Sequence, residues 1–400
     1  MNPRHPEPDF PRDPIAAVTH RDPYPYYARL VAEKPFYRDE ALGLWVASSA
    51  EAVTAVLTSV LCRVRPPAEP VPKALLGSPA ADIFRHLVRM NDGMGHCPFR
   101  QAVSATLDSV DRIRVAEQSK TSARTLANEL EPMADPRRIA DFAFRLPVYV
   151  VASLLGIPAD GLGQVARWTD DFVRCLSPLS TPEQIEQSKT AAGHLLDLFR
   201  ALPAGGRTGG LLGTLAAEAQ RHGREDVDVI IANGIGFLSQ SYEATAGLIA
   251  NTLLALISRR RLREQIAGGP SLLRHVVQEV LRYDPPIQNT RRFLAGSGTI
   301  LGQQMKEGDA ILIVLAAANR DPLANPDPER FESLRKNRRV FTFGAGAHGC
   351  PGEWLAVSIA EAGVLQLMSL GLRVEELAGP PGYRPSVNAR IPLWGAGAHG

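Results

Sequence analysis

The stretch Phe343-Gly344-Ala345-Gly346-Ala347-His348-Gly349-Cys350-Pro351-Gly352, followed at once by the apolar run Trp354-Leu355-Ala356-Val357, narrows the choice of fold for this chain more than any other. It sets one cysteine at the mouth of a helix. Glycines at 344, 346, 349 and 352 allow tight turns and close approach to a flat partner. Pro351 suits a first helical turn, where its missing N–H costs nothing. Free N–H groups and the positive end of the helix dipole then favour a thiolate at Cys350 over a thiol. A thiolate is a metal ligand.

Two plainer readings compete. Gly344-x-Gly346-x-x-Gly349 also spells a dinucleotide fingerprint, with a candidate strand over Arg339–Phe343 before it, but that fold needs further strand–helix units and little chain remains. The other is a buried structural cysteine in a glycine-rich loop, which leaves His348 and the density of glycines without a purpose. Zinc fits poorly, because Cys62, Cys97 and Cys175 are distant in sequence and none forms a Cys-x-x-Cys pair. Among metal centres, a lone thiolate suits haem iron best.

The pattern Phe-x-x-Gly-x-x-His-x-Cys-x-Gly, met at Phe343, Gly346, His348, Cys350 and Gly352, resembles the cysteine-ligand loop of the cytochrome P-450 family, the haem-thiolate monooxygenases. The resemblance implies that Cys350 binds the iron of haem b, iron protoporphyrin IX, with Phe343, Gly344, His348 and Gly352 around it. It also implies a mainly α fold with a small β region. In that fold the haem is sandwiched between a long central helix and the helix after the cysteine.

Composition is that of an ordinary globular protein, 45% hydrophobic and 22% charged with a net charge of +2, so no nucleic-acid or polyanion partner is expected. Arginine far outnumbers lysine among the 44 basic residues, a bias that points to a GC-rich bacterial genome. The start Met1-Asn2-Pro3-Arg4-His5-Pro6 is polar and proline-rich, and no run reaches 18 apolar residues; a soluble, cytoplasmic protein without a membrane partner is expected. The four scattered cysteines fit a reducing compartment. We expect one domain over 1–400, with 1–20 and 395–400 as flexible tails. The terminal Gly395–Gly400 repeats Gly344–Gly349 without a following cysteine.

Asp22-Pro23-Tyr24-Pro25 leads into a short helix, Phe36-Tyr37 and Leu44–Ala47 read as a hairpin, and Ser49–Leu57 returns to helix. Between Arg65 and Ala80 dense proline and glycine argue for a loop, which in the family lids the substrate. His96 and Arg100 lie four apart on one expected helix face, able to meet one anion. That spacing matches the His-x-x-x-Arg pair that binds a haem propionate in the family. Ile139–Ile157 carries a helical apolar face and reads as core.

Val227–Ile257 is the longest expected helix, about 45 Å at the α-helical rise. Its middle, Leu238-Ser239-Gln240-Ser241-Tyr242-Glu243-Ala244-Thr245, is polar where a structural helix would keep Leu or Ala. A carboxylate buried beside a haem is costly unless it serves a purpose, so Glu243 is either solvated or a proton carrier, and is read as the carrier. Here the chain departs from the family's Ala/Gly-Gly-x-Asp/Glu-Thr pattern. Gln240 and Ser241 replace the small pair, Ala244 stands where threonine is usual, and Thr245 comes one residue late, about 100° round the helix. Glu243, Thr245 and Gln240 are therefore the catalytic candidates. Gln240, Ser241 and Ala244 are also expected against the substrate, with Ala244 near the cofactor.

Glu279-Val280-Leu281-Arg282 matches the family's Glu-x-x-Arg, with Arg330 as third partner. The following Ile287–Arg292 is expected to be extended. Arg292 matches the propionate arginine, while Ile287, Asn289 and Asn388 are expected at the substrate. The basic run Arg335-Lys336-Asn337-Arg338-Arg339 is either a solvated loop or a docking patch for an acidic electron donor.

By resemblance the activity is oxidation of a mostly apolar small molecule with O2 and electrons from a ferredoxin and its reductase, the thiolate favouring O–O cleavage. Ala244 keeps a peroxide-driven or non-hydroxylating oxidation, such as ring coupling, in view. A haem protein that binds a ligand without turnover is a third reading, which retention of Glu243 disfavours.

Overall fold

The computed structural model describes residues 10–93, 96–202, 210–377 and 382–395, without the side chains of His96, Cys97, Glu375 and Glu376. It is mainly helical with small sheets. The longest helix, Val227–Ile257, starts at Asp226, whose carboxylate accepts the N–H groups of Asp228 and Val229. Small and aliphatic residues cover almost its whole circumference, so it is buried on nearly every side. Packed against it lie the helices Pro136–Leu154, Glu353–Ser369, Pro79–His86 and Leu272–Tyr283.

Ile139, Phe142, Phe144, Leu146, Val150, Leu154 and Leu155, expected as core, are all buried. Above one side of the central helix lie Leu162–Val173, the single turn Arg174–Leu176, and Pro182–Ala201. Thr181 and Gln184 form a reciprocal cap at the start of the last of these helices. Tyr242 ties this roof to the central helix by donating to Asp170 Oδ1 at 2.7 Å.

One five-stranded sheet runs in the order Phe36–Asp39, Leu44–Ala47, Ala310–Ile313, Thr290–Leu294, Cys62–Arg63. The first two strands form the expected antiparallel hairpin, and Ile311–Ile313 adds in parallel to Trp45–Ala47. Thr290–Leu294 is antiparallel to Ala310–Ile313, which carries Arg292 inward at 7% exposure.

Three expectations need correction. Arg339–Phe343 is not a strand, so the dinucleotide reading loses its first element. The loop after Arg65 ends at Ser78, which caps a helix beginning at Pro79. Part of 10–20 is packed: Ala17 and Val18 are fully buried, and Ala17, with Ile15 against it, completes a small core with Tyr27 and Val314. Of the other expected tail only Gly395 is described, and 1–9 and 396–400 lie outside the described residues. Among the described residues no helix is long and apolar enough to cross a membrane.

Candidate active site

Cys350 precedes the helix Glu353–Ser369 by one turn of irregular chain. Its N–H donates to Phe343 O at 2.7 Å, closing the loop on itself, and Gly352 N–H donates to Cys350 Sγ at 3.4 Å. Gly344 and Gly346 have φ of +69° and +67°, conformations that a side chain would strain. At Gly346 a Cβ would also stand 3.0 Å from Leu57 O. The sulfur keeps accessible surface although protein encloses it. Burial pushes the Cys350 thiol above its ordinary pKa, and Gly352 N–H and the Arg100 and Arg89 guanidiniums offset this only in part. The helix start alone therefore does not yield the expected thiolate; a bound cation would.

Arg100 holds the loop from the neighbouring helix His96–Asp108. It donates to Ala347 O at 3.2 Å, to Gly349 O and to Ser104 Oγ. His348, expected around the cofactor, has its Nε2 2.9 Å from Asp92 Oδ1. Burial would raise the Asp92 pKa; His348, the Val64 N–H and Arg63 together hold it below the ordinary carboxylate value. The His96 side chain lies outside the described residues. Arg292 is buried, donates only to Arg291 O, and has no ion pair among the described residues, so burial lowers its pKa.

Between Ile231 and Leu253 of the central helix, accessible surface survives only on a short stripe. Phe237, Gln240, Ser241, Glu243 and Ala244 retain it, whereas Tyr242 and residues 245–250 are buried. Thr245 is 1% exposed, turned off the stripe as the 100° offset predicted, which removes it from the catalytic candidates. Gln240 Nε2 donates to Gly236 O and Ser241 Oγ to Leu238 O, so each is partly occupied by its own helix. Glu243 Oε1 lies 3.6 Å from Arg384 Nη2, and the Arg384 guanidinium lies over the Phe144 ring at 4.7 Å. Asn289 is buried and donates to Val387 O at 2.9 Å, while Ile287 and Asn388 keep partial exposure beside it.

Glu279 and Arg282 pair at 2.7 Å with neither side chain exposed. Arg330 is not their ionic third partner; it offers only its carbonyl to Arg282. Arg338 at 2.8 Å and Arg335 at 3.4 Å take that place. Two cations of the expected docking run are thus spent inside, and only Lys336 and Arg339 stay exposed. Sequence reading missed Asp92, Arg384 and Arg89. Asp92 could have been found from its place four residues before His96; the other two carry no local signal.

Comparison with known proteins agrees with this geometry. The family model described as Cytochrome P450 matches residues 232–369. "Cytochrome P450 144" of Mycobacterium tuberculosis is 29% identical, covering 94% of this chain and 88% of its own length. The "20-oxo-5-O-mycaminosyltylactone 23-monooxygenase" of Streptomyces fradiae is 28% identical, covering 94% and 86%. Among solved structures, CalO2 superposes with a TM-score of 0.79 at 27% identity, covering 95% of this chain and 97% of that one. A lone cysteine in a glycine-turned loop beneath a long central helix, shared with relatives along nearly the whole chain, makes this protein a member of the cytochrome P450 family and a P450 monooxygenase.

Proposed function

We propose that the protein hydroxylates a small bacterial specialised metabolite, using O2 and electrons from a ferredoxin with its reductase. What supports this is the accessible stripe of the central helix at Gln240, Ser241 and Glu243, together with the Cys350 loop, since the charges of Glu243 and Cys350 both act on Arg89. The Streptomyces fradiae relative, a 23-monooxygenase by name, supports the choice of oxygen insertion.

The family implies a haem group, which we take as haem b, and the donor set fits one. Cys350 is an accessible lone sulfur, and Arg292 is a buried cation without a counter-ion among the described residues. Cys350 would hold the iron, and Arg292 and Arg100 the propionates. When bound, this group supplies oxidation of the substrate by dioxygen. The protein residues arrange the rest. Gly352 N–H supports the sulfur, and Phe343 O fixes the loop through the Cys350 N–H. Ile287 supplies an apolar wall, and Asn289 braces it by holding the Val387 carbonyl.

Glu243 exchanges a proton at Oε1. Arg384 restrains that carboxylate, which must loosen from the guanidinium to turn inward. Ala244 offers no hydroxyl, so the Gln240 amide, water or a substrate hydroxyl completes the path. Electron entry is assigned to the cysteine-loop side, where Lys336, Arg339 and Arg112 are exposed, Arg112 stacking over Trp354.

The test is turnover of a ligand found by spectral-shift screening, under labelled dioxygen, with a ferredoxin system against peroxide. Product carrying one labelled oxygen, formed with the ferredoxin system, is expected. Product with peroxide alone would favour the peroxide-driven reading that Ala244 keeps open, and binding without any product would favour a ligand-binding haem protein.

A further inference from the structure

We propose that the substrate carries a carboxylate and that Arg89 binds it. This rests on the reading of the space over the Cys350 loop as the substrate chamber.

Arg89 belongs to the turn Val88–Met90, which is fastened to the central helix. Val88 N–H donates to Asn233 Oδ1 at 2.9 Å, and Asn233 Nδ2 returns a bond to His86 O at 3.0 Å. Leu87 fills the place where Gly236 has no side chain; a Cβ there would lie 2.9 Å from its Cδ2. The turn is thus held one helical turn before Gln240. Its position is set by packing, independent of anything the guanidinium does.

The guanidinium itself has no hydrogen bond or ion pair among the described residues, yet Arg89 keeps accessible surface. Protein surrounds it nevertheless. Burial lowers its pKa, opposed by Glu243, Cys350 and Cys175. These three groups lie on the central helix, the cysteine loop and the roof turn Arg174–Leu176. The turn therefore carries Arg89 beside the accessible positions around Gln240, where the charges of Glu243, Cys350 and Cys175 act on it.

Other guanidiniums near this space are accounted for. Arg384 is matched by Glu243, Arg174 by Asp170, and Arg100 by loop carbonyls. Arg292 lies on a different side, among Asp92 and Cys62, and neither of these acts on Arg89. Glu243 is already paired with Arg384, so no carboxylate among the described residues is left to neutralise Arg89. An enclosed cation without a partner is costly, and a wholly apolar substrate would leave it so. One unpaired guanidinium calls for a monoanion, and its planar fork fits a planar carboxylate.

The haem-loaded protein is titrated with ω-(imidazol-1-yl)alkanoic acids of increasing chain length and with their methyl esters, following the Soret shift. The imidazole binds iron in every case, so each ligand yields a dissociation constant whatever its tail. At the chain length that reaches Arg89 the acid should bind about 10- to 100-fold more tightly than its ester. Arg89→Gln should bring the ratio to about one, and Arg89→Lys should keep part of it. A ratio near one at every length in the native protein, or a preference surviving Arg89→Gln, overturns the proposal. So does loss of haem from Arg89→Gln to the degree seen on replacing Arg292, which would make Arg89 a propionate partner. Failure of the underlying reading shows separately, as absence of the thiolate band in the reduced carbon-monoxide complex of the native protein.

Discussion

Cys350 is where local chemistry and tertiary burial pull in opposite directions. The loop gives its sulfur one N–H donor and two nearby guanidiniums, but burial outweighs them and raises the thiol pKa. A metal cation is needed to hold the thiolate. Cys350→Ser is therefore expected to abolish the red-shifted Soret band of the reduced carbon-monoxide complex; an unchanged band would remove Cys350 as ligand. Glu243 is the one carboxylate on the accessible stripe of the central helix. Glu243→Ala should lower coupled product formation by about 10²-fold, the low end for losing a positioned acid–base group. Thr245→Ala should do much less, because Thr245 is sealed in the core. Product per electron consumed, measured for both variants, decides this. Cys350, Glu243, Arg100 and Arg292 could be singled out in the sequence because each belongs to a short pattern. Arg384 could not, since its partner Glu243 lies far away along the chain and no periodicity links them.

The helix Leu272–Tyr283 and the segment after it show what a motif conceals. Glu279 and Arg282 were legible at i, i+3, but their remaining partners, Arg335 and Arg338, come from a run that reads as solvated or docking charge. Burial would raise the Glu279 pKa, but Arg282, the Glu332 N–H and Arg338 hold it below the ordinary value of 4.5. A depressed carboxylate pKa contributes stability above the unfolded value, and this is lost as pH falls through the folded one. Glu279→Gln should accordingly cost about 3–5 kcal/mol at neutral pH, because Arg282 stays buried without its counter-charge. The gap from the native protein should narrow as pH drops below 4.5. Urea unfolding across this range measures it, and a gap independent of pH would contradict the assignment. On the strand Thr290–Leu294, Arg292→Leu should loosen haem retention well beyond Arg29→Leu, whose side chain is 60% exposed. Equal haem content in the two variants would contradict the propionate role.

Across the whole molecule the central helix does most of the organising, since the core helices, the roof and the Arg89 turn all pack on it. Its ends were readable to the residue, because Asp226 caps it and no proline interrupts the chain before Ile257. The hairpin, the 139–154 core face and the cysteine loop were readable for the same reason: caps, periods and turn glycines act over a few residues, and those residues are adjacent. What the fold alone decided are the partnerships between distant segments. His348 went to Asp92, Glu243 to Arg384, and the basic run to Glu279. Ile15 and Ala17 joined the core around Tyr27, and Arg89 came to lie beside the polar middle of the central helix. Each of these depends on which side chains chain closure leaves enclosed together, and on which charges must then find an opposite or remain unmatched. Nothing local in the sequence encodes that choice.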